Sequence, residues 1–282
     1  MERLQSAMEK ARAQRDQTSA APKPSRRAPN SQLEEAPAAL KTSQREAWEM
    51  LEELPTDRKR LHRNRITTFE GGVSSAPFDL LRTRMLQQAR QNNWRRIAIV
   101  SPHSGCGKST AAANLAFGLS RQSNLYSLIL DLDLRRAGLS KIMGQRLSES
   151  MADVLQHKIG FAEHGRRLGS NVAFGLNGGV KATNPSEVLQ NSQTSDVLEK
   201  IYAHYEPDIT LFDMPPLLAS DDNFGFLQNV DCALIMVAAE QTTMSQIDVT
   251  ERHVAELTNV MGIVLNKCRY SSGAHGHEYD YY

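Results

Sequence analysis

The chain has 282 residues, with 33 lysines and arginines against 32 acids and 40% hydrophobic residues. So even a balance gives no global electrostatic case for nucleic acid as a partner, and the length suits one large domain or two small ones. Three scattered cysteines, Cys106, Cys232 and Cys268, are too few for a disulfide framework and fit a reducing compartment.

The opening stretch MERLQSAMEKARAQRD lacks the apolar core of a secretory signal. Residues 1–70 hold no glycine, five of the eleven prolines and charge of both signs, so they read as a mostly disordered extension. Two short helical patterns interrupt it, one on Leu4, Met8 and Ala11 and one on Trp48, Leu51 and Glu52 that ends near Pro55. Each is either a nascent solvated helix or a docking segment for a partner. The basic run RKRLHRNR, Arg58 to Arg65, reads as a solvated linker.

From residue 75 short apolar runs alternate with helical stretches. RRIAIV (95–100), LYSLILD (125–131), NVAFGLN (171–177), DITLFD (208–213), DCALIMV (231–237) and VMGIVLN (260–266) read as strands. They lack period-two alternation, which suggests burial on both faces, as in a parallel sheet. The segments from Ser186 to His204 and Thr243 to Thr258 are long enough for crossover helices. The expectation is a doubly wound α/β domain over 75–268, of P-loop NTPase type, with its ligand at the carboxyl ends of the strands. The longest apolar run, Cys232 to Ala239, is far short of the roughly 20 residues that span a bilayer. The chain is expected in the cytoplasm, reaching the inner face of the plasma membrane only through a partner.

The strand IAIV runs into SPHSGCGKST and then a helical AAANLAFGLS. Ser104, Gly105, Cys106, Gly107, Lys108, Ser109 and Thr110 make the second half of a P-loop, in which backbone amides wrap phosphates, Lys108 reaches the β/γ oxygens and Ser109 ligates magnesium. Pro102 stands where the pattern has its first glycine. Two further strands end in acid: LILDLDLRR places Asp131 and Asp133 before Arg135, and LFDMPP places Asp213 before Pro215. A carboxylate abutting an apolar strand needs a partner, and magnesium bridging phosphates is one. Four of the seven tyrosines, Tyr270, Tyr279, Tyr281 and Tyr282, crowd the last thirteen residues among glycine, serine, histidine and acid, where no apolar stripe offers them a core.

These motifs resemble the bacterial protein-tyrosine kinases of capsule and exopolysaccharide assembly. The resemblance runs from about Phe78 to the end: a Leu-Arg-Thr segment at Leu81 to Thr83, the P-loop, Asp-x-Asp-x-Arg at Asp131, Asp133 and Arg135, Asp-x-Pro-Pro at Asp213 to Pro216, Leu-Asn-Lys at Leu265 to Lys267, and the tyrosine cluster. The opening MERLQSAMEKAR is similar to the N-terminal helix of the exopolysaccharide branch. What the resemblance implies is an ATP- and Mg2+-dependent protein-tyrosine autokinase that regulates polysaccharide polymerisation and export. Lys108 would steady the γ-phosphate, Ser109 with Asp131 and Asp213 would hold magnesium, and Asp131 or Asp133 would take the tyrosine proton. Arg135 and Asn266 would contact the nucleotide, Asn266 at the adenine edge, and Tyr270, Tyr279, Tyr281 and Tyr282 would be the phosphoacceptors on a flexible tail, 269–282. A membrane polysaccharide co-polymerase or chain-length protein would act as activator, with self-association between subunits. The family's oligomerisation motif, Glu-x-x-Arg-x-x-Arg, falls here on Ala76, Asp79 and Arg82, so ring assembly by that contact is unsupported.

Two other readings stand beside it. A switch ATPase of the chromosome- and septum-positioning type shares the P-loop and Asp-x-Asp logic but depends on a second loop lysine, where this chain has His103. A catalytically idle, nucleotide-binding subunit of a polysaccharide assembly complex would keep the same fold.

Overall fold

The computed structural model describes residues 38–178 and 182–268. Eight strands form one sheet: β1 (Glu52–Glu53), β2 (Arg96–Val100), β3 (Ser127–Asp131), β4 (Arg166–Leu168), β5 (Val172–Gly175), β6 (Ile209–Asp213), β7 (Cys232–Ala238) and β8 (Asn259–Asn266). Their order is β1-β4-β5-β3-β6-β2-β7-β8, and every pairing is parallel except β4 with β5. All six expected strands are present, and the doubly wound architecture with them. The two short ones, β1 and β4, were beyond the reach of periodicity.

The double burial expected of those unalternating strands holds for all but β8, which lies at the sheet edge and leaves Ile263 and Leu265 exposed. Ile97 and Ile99 of β2 face the P-loop helix (Lys108–Ser120), while Ala98 and Val100 face the opposite cluster with Leu128, Leu130 and Phe212. Both helix layers therefore take apolar side chains from one strand, and no polar face remains to alternate. The last crossover behaves as expected, with Thr243 and Gln246 forming a capping box on Met244–Leu257. The segment 186–204 does not form one helix. It splits into Pro185–Gln190 and Ser192–Tyr205, because Asn191 is extended (φ −69°, ψ 135°) and its side chain caps the second helix.

The reading of 1–70 as a mostly disordered extension is corrected from residue 38 onward. Helix Ala38–Glu49 packs on Ser192–Tyr205, and its Trp48 is buried, donating its indole N–H to the Tyr205 carbonyl at 2.8 Å. The basic run is likewise no solvated linker. Arg58–Arg63 is a helix capped by Asp57, with Leu61 buried beneath it. Asn114 of the P-loop helix ties the next turn down: its Oδ1 accepts from the Thr67 amide at 2.9 Å, and its Nδ2 donates to the Arg65 carbonyl at 3.0 Å. These residues escaped a compositional reading because a few large side chains do the burying amid many charges. The expected helix on Leu4, Met8 and Ala11 and the tyrosine tail lie outside the described residues.

Asp79 and Arg82 are used within the chain. Asp79 accepts from Arg82 at 3.1 Å, from Ser75 at 2.6 Å and from Arg121, and Arg82 also donates to the Gly118 carbonyl at 2.8 Å. Truncating Trp48 tests the corrected boundary. Trp48→Ala should cost on the order of 3–5 kcal/mol, the range for a buried aromatic, read as a lower denaturant midpoint. An unchanged midpoint would restore the disordered reading for this segment.

Candidate functional site

The site is made where β2, β3 and β6 end. Asp131 and Asp213 are register partners on adjacent parallel strands, so their side chains leave the same face side by side. β2 delivers the loop Ser101–Gly107, in which Gly105 (φ +84°) and Gly107 (φ +93°) take left-handed backbone that L side chains avoid. A Cβ on Gly107 would also collide with Asn266 Nδ2. The loop then enters the P-loop helix, whose first amides have no partner within the helix and point at any anion placed there.

Lys108 is buried, and its Nζ donates to Ser101 Oγ at 2.7 Å; that hydroxyl in turn donates to the His103 carbonyl at 2.7 Å. Burial lowers the lysine's pKa from its usual value, while Asp213 and Asp133 hold it up. The three acids are also buried. Asp131 Oδ1 accepts from the Asp133 amide at 3.2 Å, but Asp131 Oδ2, Asp133 Oδ1 and both oxygens of Asp213 have no hydrogen-bond partner. Burial first, and then the charges of Asp213 and Asp133, push the Asp131 carboxyl well above the ordinary carboxylate range. Burial raises Asp133 too, against the pull of Lys108 and Arg136. Asp213 is pushed up to about 6, mainly by burial; Lys108 and the nearby Ser109 hydroxyl favour its ionised form, although no hydrogen bond closes on either oxygen.

Three buried acids beside one lysine form a site short of positive charge. Among the described residues no group of three or more His, Cys, Asp or Glu is arranged to cage a metal alone. Magnesium makes no such demand, since it is usually held by one or two carboxylates together with substrate phosphates and water. The unpartnered oxygens of Asp131 and Asp213 fit it. So does Ser109, at the start of the P-loop helix, whose Oγ approaches Gly138 so closely that a Cβ there would meet it at 3.1 Å.

Other expected site residues are placed differently. Ser104 and Gly105 are exposed on the loop, Cys106 is buried beneath it, and Thr110 is half-buried in the first helical turn. Arg135 forks onto Asp222, with Nε to Oδ2 at 2.7 Å and Nη2 to Oδ1 at 2.8 Å. Asn266 Nδ2 donates to the Cys106 carbonyl at 2.9 Å, so its amide braces the phosphate loop. His103 is tied to Thr242 Oγ1 at 2.9 Å. Sequence reasoning missed Asp222 and above all Asn177, whose Nδ2 donates to the carbonyls of Asp131 and Asp133 at 3.0 and 3.1 Å. Its position just beyond β5 was the available signal, since polar residues at strand ends gather on the ligand side.

A family model described as ParA, NUBPL iron-transfer P-loop NTPase, matches residues 93–282. The chain is 30% identical over 194 residues to the tyrosine-protein kinase ptk of Acinetobacter johnsonii, covering 67% of this chain and 25% of that protein. It is 26% identical over 226 residues to the tyrosine-protein kinase YwqD of Bacillus subtilis, covering 79% of this chain and 92% of that one. The crystal structure of the chimerical protein CapA2B2 superposes with a TM-score of 0.65 at 20% identity, covering 77% of this chain and 95% of that one. The match to the Acinetobacter protein and to other long relatives spans about a quarter of their length.

The electrostatics give a test with a definite sign. Carboxyls raised in the folded state hold their protons more tightly than in the unfolded chain. Their contribution favours folding at low pH and is lost as pH rises from about 4 through about 6. In chelator and without nucleotide, Asp213→Asn removes one repelling charge. Its thermal midpoint at pH 7.5 should exceed the wild type's by roughly 2–4 °C, the effect of ~1 kcal/mol in a domain this size, and the gap should close toward pH 5. A lower midpoint at pH 7.5 would mean that Lys108 already compensates the charge.

Proposed function

The chain belongs to the ParA-type P-loop NTPases and, within them, to the bacterial tyrosine-protein kinases, and from that premise we propose that it is an ATP- and Mg2+-dependent tyrosine autokinase. The observation that carries the reading is the set of unpartnered carboxylate oxygens of Asp131, Asp133 and Asp213 beside Lys108, at the mouth of a P-loop. A hydrolase or switch needs only some of these groups. A kinase must also take a proton from its acceptor, and buried carboxylates of raised pKa are suited to that.

The attacking phenol oxygen forms a bond to the γ-phosphorus as the bond to the ADP oxygen breaks. The phenol proton, with an ordinary pKa near 10, passes to Asp131 or Asp133. Positioning and charge do most of the work in such a transfer. The loop amides and Lys108 hold the phosphates, and Lys108 leaves Ser101 to do so. Asp131, Asp213 and Ser109 are the residues that would hold magnesium, which would supply positive charge to the reacting phosphates. Asn266 braces the loop from β8, and its expected contact with the adenine edge stays part of this proposal. Arg135 would act on the nucleotide only after leaving Asp222. The switch-ATPase reading needs a side chain that crosses to a partner from position 103, whereas His103 is bonded to Thr242.

The acceptors are Tyr270, Tyr279, Tyr281 and Tyr282. β8 ends against the phosphate loop at Asn266, so the tail is tethered on the nucleotide side. The twelve residues after Tyr270 reach about 40 Å when extended, enough to enter a neighbouring subunit without a sharp reversal, so transfer is in trans. Each phosphate adds about −1.5 to −2 charges, which repel the site acids and release the tail. In the cell the protein would work in the cytoplasm, activated by a membrane polysaccharide co-polymerase and regulating exopolysaccharide or capsule export. Among the described residues no helix is long and apolar enough to cross a membrane.

The test mixes a Lys108→Met chain, which should not label itself, with an active chain lacking residues 269–282. Phosphotyrosine should appear on the Lys108→Met chain. If none appears while full-length protein labels itself at a concentration-independent rate, transfer is in cis; wild-type labelling of Lys108→Met alone would sink the kinase reading.

A further inference from the structure

Helix Ser192–Tyr205 carries a second apolar margin. Between it and the segment 154–162 lies an open groove of about 250 Å3. Tyr205 stands just before β6 begins, so the groove sits toward the amino ends of the strands, away from the phosphate loop and the acids at their carboxyl ends. Its floor is Val154, Phe161, Val197, Ile201 and Tyr205, with the Phe161 and Tyr205 rings edge to face at 5.3 Å. Ile159 and the exposed Ala162 form its lip. The volume is below that of a pocket for a drug-sized ligand and suits a single aromatic ring.

The rim supplies donors. Lys200, His157 and His204 are exposed there, and no Asp or Glu lines the groove. Lys200 and His204 are four residues apart and so share one face of their helix. Among the described residues none of these three side chains has a hydrogen bond or ion pair. An apolar slot with a donor rim and no acid matches a segment that combines aromatic rings with anionic groups. The chain holds such a segment in Glu278-Tyr279-Asp280-Tyr281-Tyr282. Each phosphate on those tyrosines adds about −1.5 to −2 charges and three acceptor oxygens. The change that drives the tail from the site acids therefore improves its match to this rim. Thirteen residues run from Cys268 to Tyr281, about 43–47 Å when extended. The helix that carries the groove leads into β6, which lies three strands from β8, so the groove is within the tail's reach.

We propose that this groove is the docking site of the phosphorylated tail, with one tyrosine ring in the slot and the carboxylates and phosphates of its neighbours on Lys200, His157 and His204. The assignment rests on the kinase reading above for the origin of the phosphates. It adds the surface that receives the product. The apolar floor selects for the ring and the rim for the charge, so neither an unphosphorylated tail nor a phosphate alone satisfies both.

The experiment follows a fluorescent synthetic peptide of residues 271–282, phosphorylated on Tyr279 and Tyr281, by anisotropy. Full-length protein, treated with phosphatase and held without ATP, is the receptor. The phosphopeptide should bind roughly three- to tenfold more tightly than the unphosphorylated peptide, the weight of one or two charged contacts at an exposed rim, and the gap should narrow at high salt. Lys200→Glu should abolish the gap. A peptide with phosphoserine replacing Tyr279 and Tyr281 and alanine replacing Tyr282 keeps the charge but lacks the rings, and should bind at least about tenfold more weakly than the phosphotyrosine peptide. Ala162→Trp fills the lip and should remove binding altogether. Lys200 and Ala162 are exposed, so both variants are expected to fold, and far-ultraviolet circular dichroism checks that they do. Equal affinity of the phosphopeptide for wild type, Lys200→Glu and Ala162→Trp overturns the proposal. So does self-association of the unphosphorylated protein that Ala162→Trp abolishes and the peptide does not disturb, since the groove would then be a face between copies. The peptide's phosphates are synthetic, so the two readings fail separately. A chain without phosphotyrosine after magnesium-ATP sinks the kinase, and a peptide affinity indifferent to the groove sinks the docking site.

Discussion

Asp131 and Asp213 sit side by side because β3 and β6 run parallel in register and both end there. Burying two like charges at that spacing is unfavourable, and Asp133 adds a third. Lys108 alone cannot offset them. The site is therefore poised for positive charge from outside, and the raised carboxyl pKa values are the physical sign of that need. An apolar packing of the same strand ends would be more stable and chemically inert.

The surroundings fix this arrangement in place. Asn177 holds the acid loop by its carbonyls, leaving the carboxylates to other partners. Asn266 holds the phosphate loop by the Cys106 carbonyl, leaving the loop amides to an anion. Arg135 with Asp222 fixes the far side of the acid loop. Beneath them the P-loop helix is buried almost all round, between the sheet and the segment that Asn114 secures. Rigid backing of this kind suits phosphoryl transfer, in which misplacement by a fraction of an ångström is costly.

Much of this was legible in the sequence. Five of the six apolar runs read correctly as doubly buried strands, the sixth being the edge strand β8 with Ile263 and Leu265 exposed, and the Gly-Lys-Ser and Asp-x-Asp patterns located the ligand end of the sheet. Residues 38–70 read as little more than one short helical pattern on Trp48, Leu51 and Glu52, because Trp48, Leu51, Leu61 and Ile66 are single large side chains among charges, and their burial depends on surfaces distant in sequence. β1 and β4 have two and three residues, too few for any period. Arg135 and Asn266 were placed by motif, but the atoms they bond, Asp222 and the Cys106 carbonyl, are set by tertiary packing across 87 and 160 residues. Asn177 and Asp222 belong to no short motif and become visible only through their partners.

The central claim is that these buried acids serve transfer to the chain's own tyrosines. Mass spectrometry of the C-terminal peptide of purified protein, before and after incubation with magnesium-ATP, tests it most directly. The account predicts phosphate on Tyr279, Tyr281 or Tyr282 that appears with ATP and magnesium together and with neither alone. ATP hydrolysis at a steady rate, with that peptide left unmodified, would contradict it.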